Sequence, residues 1–202
     1  MKLYYSAGAC SLAAHIAMKE TGLAFEAVSA PTQTHRLEDG TDYYSINPLG
    51  YVPLLVLDDG RQIHEVAVIL QYLADLVPER QLAPANGTFE RYKLQEWLNF
   101  IATELHKGFS PLFAPHLSDE AKAPAKARLN ARLQWVDGEL NGKNYLMGEA
   151  FTVADAYLFV VQSWGKYVGI DVSALVNLSA LATRVTARPA VQAALRAEAL
   201  LK

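Results

Sequence analysis

The sequence predicts a chain in two parts, a mixed α/β domain followed by an all-α domain. Two observations carry this expectation. Up to residue 76, short strand patterns alternate with helix patterns, whereas beyond residue 88 only long helical patterns occur. Between them, residues 79–87 contain Pro84, Asn86 and Gly87 without periodicity, and they read as a linker. The expected limits are 1–78 for the first domain, 79–87 for the linker and 88–202 for the helical domain.

Lys2 to Tyr5 is a short strand, followed by a Gly8-Ala9-Cys10-Ser11 turn. Leu12 to Glu20 reads as a helix stopped at Thr21-Gly22, with glycine supplying the cap. Phe25 to Ser29 is a second strand, and Thr32 to Asp42 is loop or irregular helix. Val52 to Leu57 is a continuous apolar run of strand length, as in a strand covered on both faces. Asp58-Asp59-Gly60 turns this strand back into Arg61 to His64, an antiparallel partner. Glu65 to Leu76 spaces Ile69, Leu73 and Leu76 as a helix does. The later helical stretches are Thr88 to Lys107, Ala121 to Leu140, Val153 to Tyr167 and Leu178 to Leu200.

Composition excludes several classes of function. Hydrophobic residues make up 51% and charged residues 19%, too apolar for a disordered chain. The net charge of −3 lacks the basic excess of a nucleic-acid binder. Cys10 is the single cysteine, so neither an internal disulfide nor a cysteine-rich zinc site is available. No histidine has a partner at metal-ligand spacing, and no metal is expected. The amino terminus lacks a signal-peptide core, and apolar runs such as Ala156 to Val161 are too short to span a bilayer. A cytoplasmic protein without membrane contact is expected.

Cys10 lies where a strand enters a helix, and unpaired N–H groups and the helix dipole favour thiolate there. Ser11 can cap the helix or donate to a bound sulfur. Position alone leaves Cys10 open between a functional and a buried structural thiol. Val52-Pro53 opens a strand, and its position alone fits an ordinary trans proline. Glu65-Val66 marks a helix start, where N–H groups can hold a carboxylate and Glu65 an amine, although a glutamate there also simply suits the dipole.

The stretch from Thr88 carries two stripes. Leu94, Leu98, Ile101 and Leu105 form an apolar one, and Asn99, Thr103, His106 and Ser110 an uncharged polar one opposite. The second fits a cleft wall or a plain polar surface. Thr152-Val153-Ala154-Asp155 reads as a capping box that opens a buried helix. The aromatic residues Trp97, Phe100, Trp135, Tyr157 and Phe159 read as core or interface.

Together these stretches resemble a glutathione transferase of the bacterial beta class. The resemblance runs nearly from end to end. It rests on Gly8-Ala9-Cys10-Ser11-Leu12, Asn47-Pro48-Leu49-Gly50-Tyr51-Val52-Pro53, Thr103-Glu104-Leu105-His106-Lys107-Gly108-Phe109 and Phe151-Thr152-Val153-Ala154-Asp155-Ala156. It implies a thioredoxin-like amino-terminal domain, a helical carboxy-terminal domain and a homodimer. It also implies a cis bond before Pro53, with Val52 pairing its backbone to the cysteinyl part of glutathione. Glu65 and Val66 would hold the γ-glutamyl end, and Cys10 would lie next to the glutathione sulfur. His106 would act in catalysis, and Asn99, Thr103 and Glu104 would line the glutathione site.

The chain departs from the family pattern in places. Val66 stands where such enzymes usually place serine, so contact there falls to the backbone. His35 stands where lysine is frequent, which makes its contact with the glycyl carboxylate depend on imidazole protonation. Ala7 and Ala14 are changes expected to matter little.

The resulting expectation is an enzyme of detoxification. It would bind glutathione as co-substrate and turn its thiolate on small hydrophobic electrophiles, with Cys10, Ser11 and His106 lowering the thiol pKa. The electrophile would meet a wall around His106, Phe109, Phe113 and Trp164. One rival is thiol–disulfide exchange through a Cys10–glutathione mixed disulfide. The other is a non-enzymatic binding protein of the same fold.

Overall fold

In the computed structural model, residues 1–201 are described. They form two compact units, the first of which joins Met1–Ala83 to the segment that begins at Ala187, and the second of which is Pro84–Thr186. The expected helical domain at 88–202 therefore loses its last helix to the amino-terminal unit. The reason is local: Pro189 has no N–H to continue a helix, so the stretch expected as one helix from Leu178 to Leu200 breaks before it. Pro189 instead opens a new helix at its first turn.

In the first unit the chain runs β1 (Lys2–Tyr5), α1 (Ser11–Thr21), β2 (Glu26–Ser29), β3 (Leu54–Val56), β4 (Gln62–Ile63) and α2 (Val66–Asp75). Helix α8 (Pro189–Ala197) joins it from the far end of the sequence. The sheet order is β2-β1-β3-β4, with β1 and β2 parallel and the other pairs antiparallel. The glycine stop expected for the first helix is present, with Gly22 at φ 73° as the C-cap of α1. Helix α1 packs against both α2 and α8, which explains why Leu12, Ala13, Ile16, Ala17 and Met18 are buried on successive faces. Leu54 and Leu55 are both fully buried, as the unbroken apolar run of β3 implies.

The second unit holds α3 (Phe89–Phe100), α4 (Lys107–Phe113), α5 (Asp119–Glu139), α6 (Val153–Ser163) and α7 (Val176–Thr186). The stretch expected as one helix from Thr88 to Lys107 is interrupted by a π-helical segment, Ile101–His106. The Lys107 N–H reaches Ala102 O, five residues back. The extra residue per turn keeps Ile101, Leu105 and Phe109 sealed in the core. The expected capping box opens α6: both the N–H and the hydroxyl of Thr152 donate to Asp155 Oδ2, at 2.8 and 2.9 Å. Helix α6 ends at Ser163, where a 3-10 turn, Trp164–Tyr167, takes over. Among the described residues no helix is long and apolar enough to cross a membrane.

Candidate functional site

Strand register places the site of the first unit. Tyr5 pairs with Ser29, Tyr4 with Leu54 and Leu55 with Ile63. The ends of β1, β2 and β4 and the start of β3 therefore share one edge of the sheet. The segments that emerge there carry Cys10, His35, Val52-Pro53 and Glu65-Val66.

Cys10 occupies the N-cap position of α1 and is half-buried. Its Sγ donates to Val52 O across 3.2 Å, and the Val52–Pro53 bond is cis. The thiol and the backbone of the strand-opening residue thus meet although 42 residues separate them. Ser11 corrects an expectation. Its hydroxyl donates to Ser6 O at 3.2 Å and accepts from Ser6 N at 3.1 Å, and the residue is fully buried. It closes the turn before α1 instead of presenting a donor to a bound sulfur, because the buried Ser6 backbone needs these partners.

The segment before Pro53 is fixed by residues that sequence reasoning left without a role. Tyr43 Oη and Asn47 Nδ2 both donate to Tyr51 O at 2.8 Å. Burial pushes the Tyr43 phenol up to about 12, so it remains a donor. Gly50, at φ 67°, is required here, since a Cβ would stand 2.6 Å from Tyr44 Cε1 and 3.0 Å from His35 Cε1. The Asn47-Pro48-Leu49-Gly50 run is a turn signal that could have pointed to this anchoring. His35 itself, at φ 50°, lays its ring on Tyr44 with centroids 4.4 Å apart. Its buried Nδ1 has no hydrogen-bond partner among the described residues.

Glu65 sits at the N-cap of α2 with φ 66° and ψ 122°. A non-glycine residue in that region costs on the order of 1–3 kcal/mol and persists where the surroundings enforce it. Here its carbonyl accepts from Val68 N at 3.1 Å and Ile69 N at 3.0 Å, while its side chain is exposed. Val66 follows as the first helical residue, with a buried side chain and a backbone N–H at the helix start.

In the second unit, the π segment turns His106 inward. Its Nδ1 is 2.7 Å from Tyr157 Oη, and its ring meets Trp164 edge-on at 5.1 Å. Phe109 and Phe113 complete an aromatic wall around Trp164. Burial, aided by the Lys107 charge, lowers the His106 imidazole to about 4, so it is neutral at pH 7. A neutral ring with one nitrogen held by Tyr157 can offer the other as donor or acceptor, according to tautomer.

Asn99 and Thr103 are exposed, and the Thr103 hydroxyl donates to Asn99 O at 3.0 Å. Glu104 is ion-paired to two arginines of α5. Its carboxylate accepts from Arg132 Nε at 2.8 Å and from Arg128 Nη2 at 2.9 and 3.0 Å, which holds it below the usual carboxylate range.

Comparison with known proteins places this arrangement. The family description "Glutathione S-transferase, N-terminal domain" matches residues 7–76, and "Glutathione S-transferase, C-terminal domain" matches residues 100–189. Glutathione S-transferase GstA of Escherichia coli O157:H7 is 48% identical over 200 residues, covering 99% of this chain and 100% of that protein. The chain belongs to the glutathione S-transferase family.

Among solved structures, a sphingomonad glutathione S-transferase complexed with glutathione is 50% identical, with a TM-score of 0.95 over 99% of this chain and 100% of that one. The bacterial beta-class glutathione S-transferase of Sphingomonas chungbukensis is 49% identical, with a TM-score of 0.95 over the whole of both chains. Within the glutathione S-transferase match, the amino-terminal part takes in every candidate from Cys10 to Val66. The carboxy-terminal part takes in Thr103, Glu104 and His106 and begins one residue after Asn99. The expected thioredoxin-like unit and helical unit are those of the family fold.

Proposed function

We propose that the protein is a glutathione transferase that joins the glutathione thiolate to hydrophobic electrophiles. The observation that carries this reading is the meeting of Cys10 Sγ with Val52 O beside Pro53, at the amino terminus of α1. A backbone edge at Val52 can pair with the cysteinyl part of glutathione in strand fashion. The start of α2 offers N–H groups to the γ-glutamyl carboxylate, and Glu65 offers its charge to the γ-glutamyl ammonium. His35 is assigned to the glycyl end. In the reaction the thiol gives up its proton, its sulfur forms a bond to the electrophilic carbon, and the leaving group departs with the electrons of its bond. The work of the protein is to favour the thiolate, with Cys10 and the neutral His106 as hydrogen-bonding partners. Asn99, Thr103 and Glu104 are assigned to lining positions, and the aromatic wall around Trp164 to the electrophile.

Titration calorimetry with reduced glutathione tests the binding half. Glu65→Gln should weaken binding about tenfold, because an ionic partner of the ammonium is lost. Equal affinities would remove Glu65 from the site.

The same reading has the enzyme act in detoxification, as a homodimer, in the cytoplasm. A reducing glutathione pool there suits an enzyme that consumes the thiol. Exposed apolar residues, including Leu49 and Tyr51 in the first unit and Trp135 in the second, suit a subunit interface. Sedimentation at micromolar concentration should give twice the chain mass.

Thiol–disulfide exchange remains as a second reading, because the lone thiol is not sealed from solvent.

A further inference from the structure

Helix α6 is buried at every position from Val153 to Gln162, and Tyr157, only 1% exposed, brings a hydroxyl into it. A buried hydroxyl is costly without a partner, and phenylalanine would supply the same ring. The hydroxyl meets His106: Tyr157 Oη lies 2.7 Å from His106 Nδ1, across 51 positions of sequence. The imidazole stands at the end of the π-helical segment Ile101–His106, an irregularity frequent at functional sites. Its ring is edge-on to Tyr157 at 5.9 Å and 87° and to Trp164 at 5.1 Å and 68°. Two aromatic rings thus hold its plane, and a hydrogen bond holds one of its nitrogens.

Acidity decides which atom of this bond carries the proton. A phenol, which ionises at about 10, is a stronger donor than a neutral imidazole N–H. The bare imidazole nitrogen is in turn a stronger acceptor than a phenol oxygen. The 2.7 Å separation agrees, since O–H donors sit closer than N–H donors, whose usual distance is about 2.9–3.0 Å. The Tyr157 O–H therefore donates to Nδ1. The imidazole is neutral at pH 7, so its one ring proton is on Nε2.

We propose that Tyr157 is a positioning residue for the transferase reaction: its hydroxyl fixes His106 with the proton on Nε2, so that His106 donates a hydrogen bond to the glutathione sulfur and is not the base that takes its proton. This rests on the transferase reading and sharpens it, because both ring nitrogens then have a task. The thiol proton passes to water, and the Nε2–H stays on the ring while it stabilises the thiolate.

Nitrogen-15 magnetic resonance of the full chain at pH 7 separates protonated from bare ring nitrogens and needs no glutathione. The His106 signals are those that vanish in His106→Gln. The wild type should show Nδ1 bare and Nε2 protonated. Tyr157→Phe, which keeps the ring and loses only the hydroxyl, should show a larger share of the other tautomer. A protonated Nδ1 in the wild type, or unchanged signals in Tyr157→Phe, overturns the proposal.

Thioether formation with an activated aryl halide tests the donor role. Tyr157→Phe should lower kcat about tenfold and leave KM for glutathione within about twofold, as expected where a group that orients a working histidine is lost. His106→Gln keeps an N–H donor and cannot act as a base, so it should retain more of kcat than His106→Phe. Equal impairment of the two His106 variants, or full kcat in Tyr157→Phe, overturns the donor role. A wild type that accelerates no conjugation overturns the transferase reading and the donor role with it, and the nitrogen signals then still confirm or overturn the tautomer.

Discussion

Glu198 Oε1 lies 2.9 Å from His15 Nδ1, and both side chains are sealed from solvent. The other carboxylate oxygen accepts from Gly8 N at 3.0 Å, in the turn that leads to Cys10. A residue just past the end of α8 therefore braces the segment that carries Cys10. Arg188 adds a fork onto Glu20 at 2.6 and 2.9 Å, fixing the other end of α8 to α1.

Glu198→Ala removes an acceptor of the part-buried Gly8 N–H and the partner of His15, which is sealed from water. A loss of about 1–3 kcal/mol is expected for such a buried group left unpaired. Denaturant unfolding measures it. A change within about 0.5 kcal/mol, the ordinary range for a surface substitution, would show that α8 is held by its apolar contacts alone.

Asp155→Ala should cost about 0.5–2 kcal/mol, the range for a lost amino-terminal cap. Its carboxylate also accepts from Leu146 N at 2.8 Å, so the upper half of that range is expected. Glutathione affinity should not change. An unchanged melting temperature with lost activity would make Asp155 a site residue.

His106 and Asp155 give opposite pH effects. The unfolded imidazole takes a proton near 6.5, but burial defers this in the folded chain to about 4. The unfolded state holds more protons in between, so His106 lowers stability as pH falls through that window. Burial raises Asp155 to about 6 against its hydrogen bonds from Leu146 and Thr152. Between the unfolded value near 3.9 and 6 the folded state holds the extra proton, so Asp155 lowers stability as pH rises. Comparing melting at pH 7 and pH 4.5, His106→Phe should lose less on acidification than wild type, and Asp155→Asn should lose more. The reverse order for either variant would contradict its assigned shift.

Much of this was legible in the chain. The strand at Lys2–Tyr5, the glycine stop at Gly22, the Asp59-Gly60 turn and the Thr152-Asp155 box are local signals, and local signals survive folding. The candidate positions from Cys10 to Val66 could be named from the family resemblance. What could not be read depends on distant partners. Nothing around Glu198 announces that it meets His15 and Gly8. The π segment that ends at His106 leaves an ordinary apolar spacing in the sequence. Ser11 looked like a donor to a ligand because its partner, Ser6, is engaged only once the turn closes. The pairing of Glu104 with Arg128 and Arg132 joins residues 24 and 28 positions apart, so no local pattern announces it.

Cys10 separates the two enzymatic readings. Incubation with oxidised glutathione should add one glutathione to the intact mass: the Cys10 sulfur attacks the disulfide and one glutathione leaves as thiol. Cys10→Ala should abolish this adduct while conjugation persists in part. Complete loss of conjugation in a variant that still binds glutathione normally would make Cys10 more than a tuning group.

The most direct test of the central claim is the rate of thioether formation between reduced glutathione and an activated aryl halide, followed by absorbance with and without the protein. The account predicts saturable acceleration over the spontaneous reaction, with kcat lowered in His106→Phe. A rate equal to the spontaneous one, in protein that binds glutathione, would contradict it and leave a binding protein of the same fold.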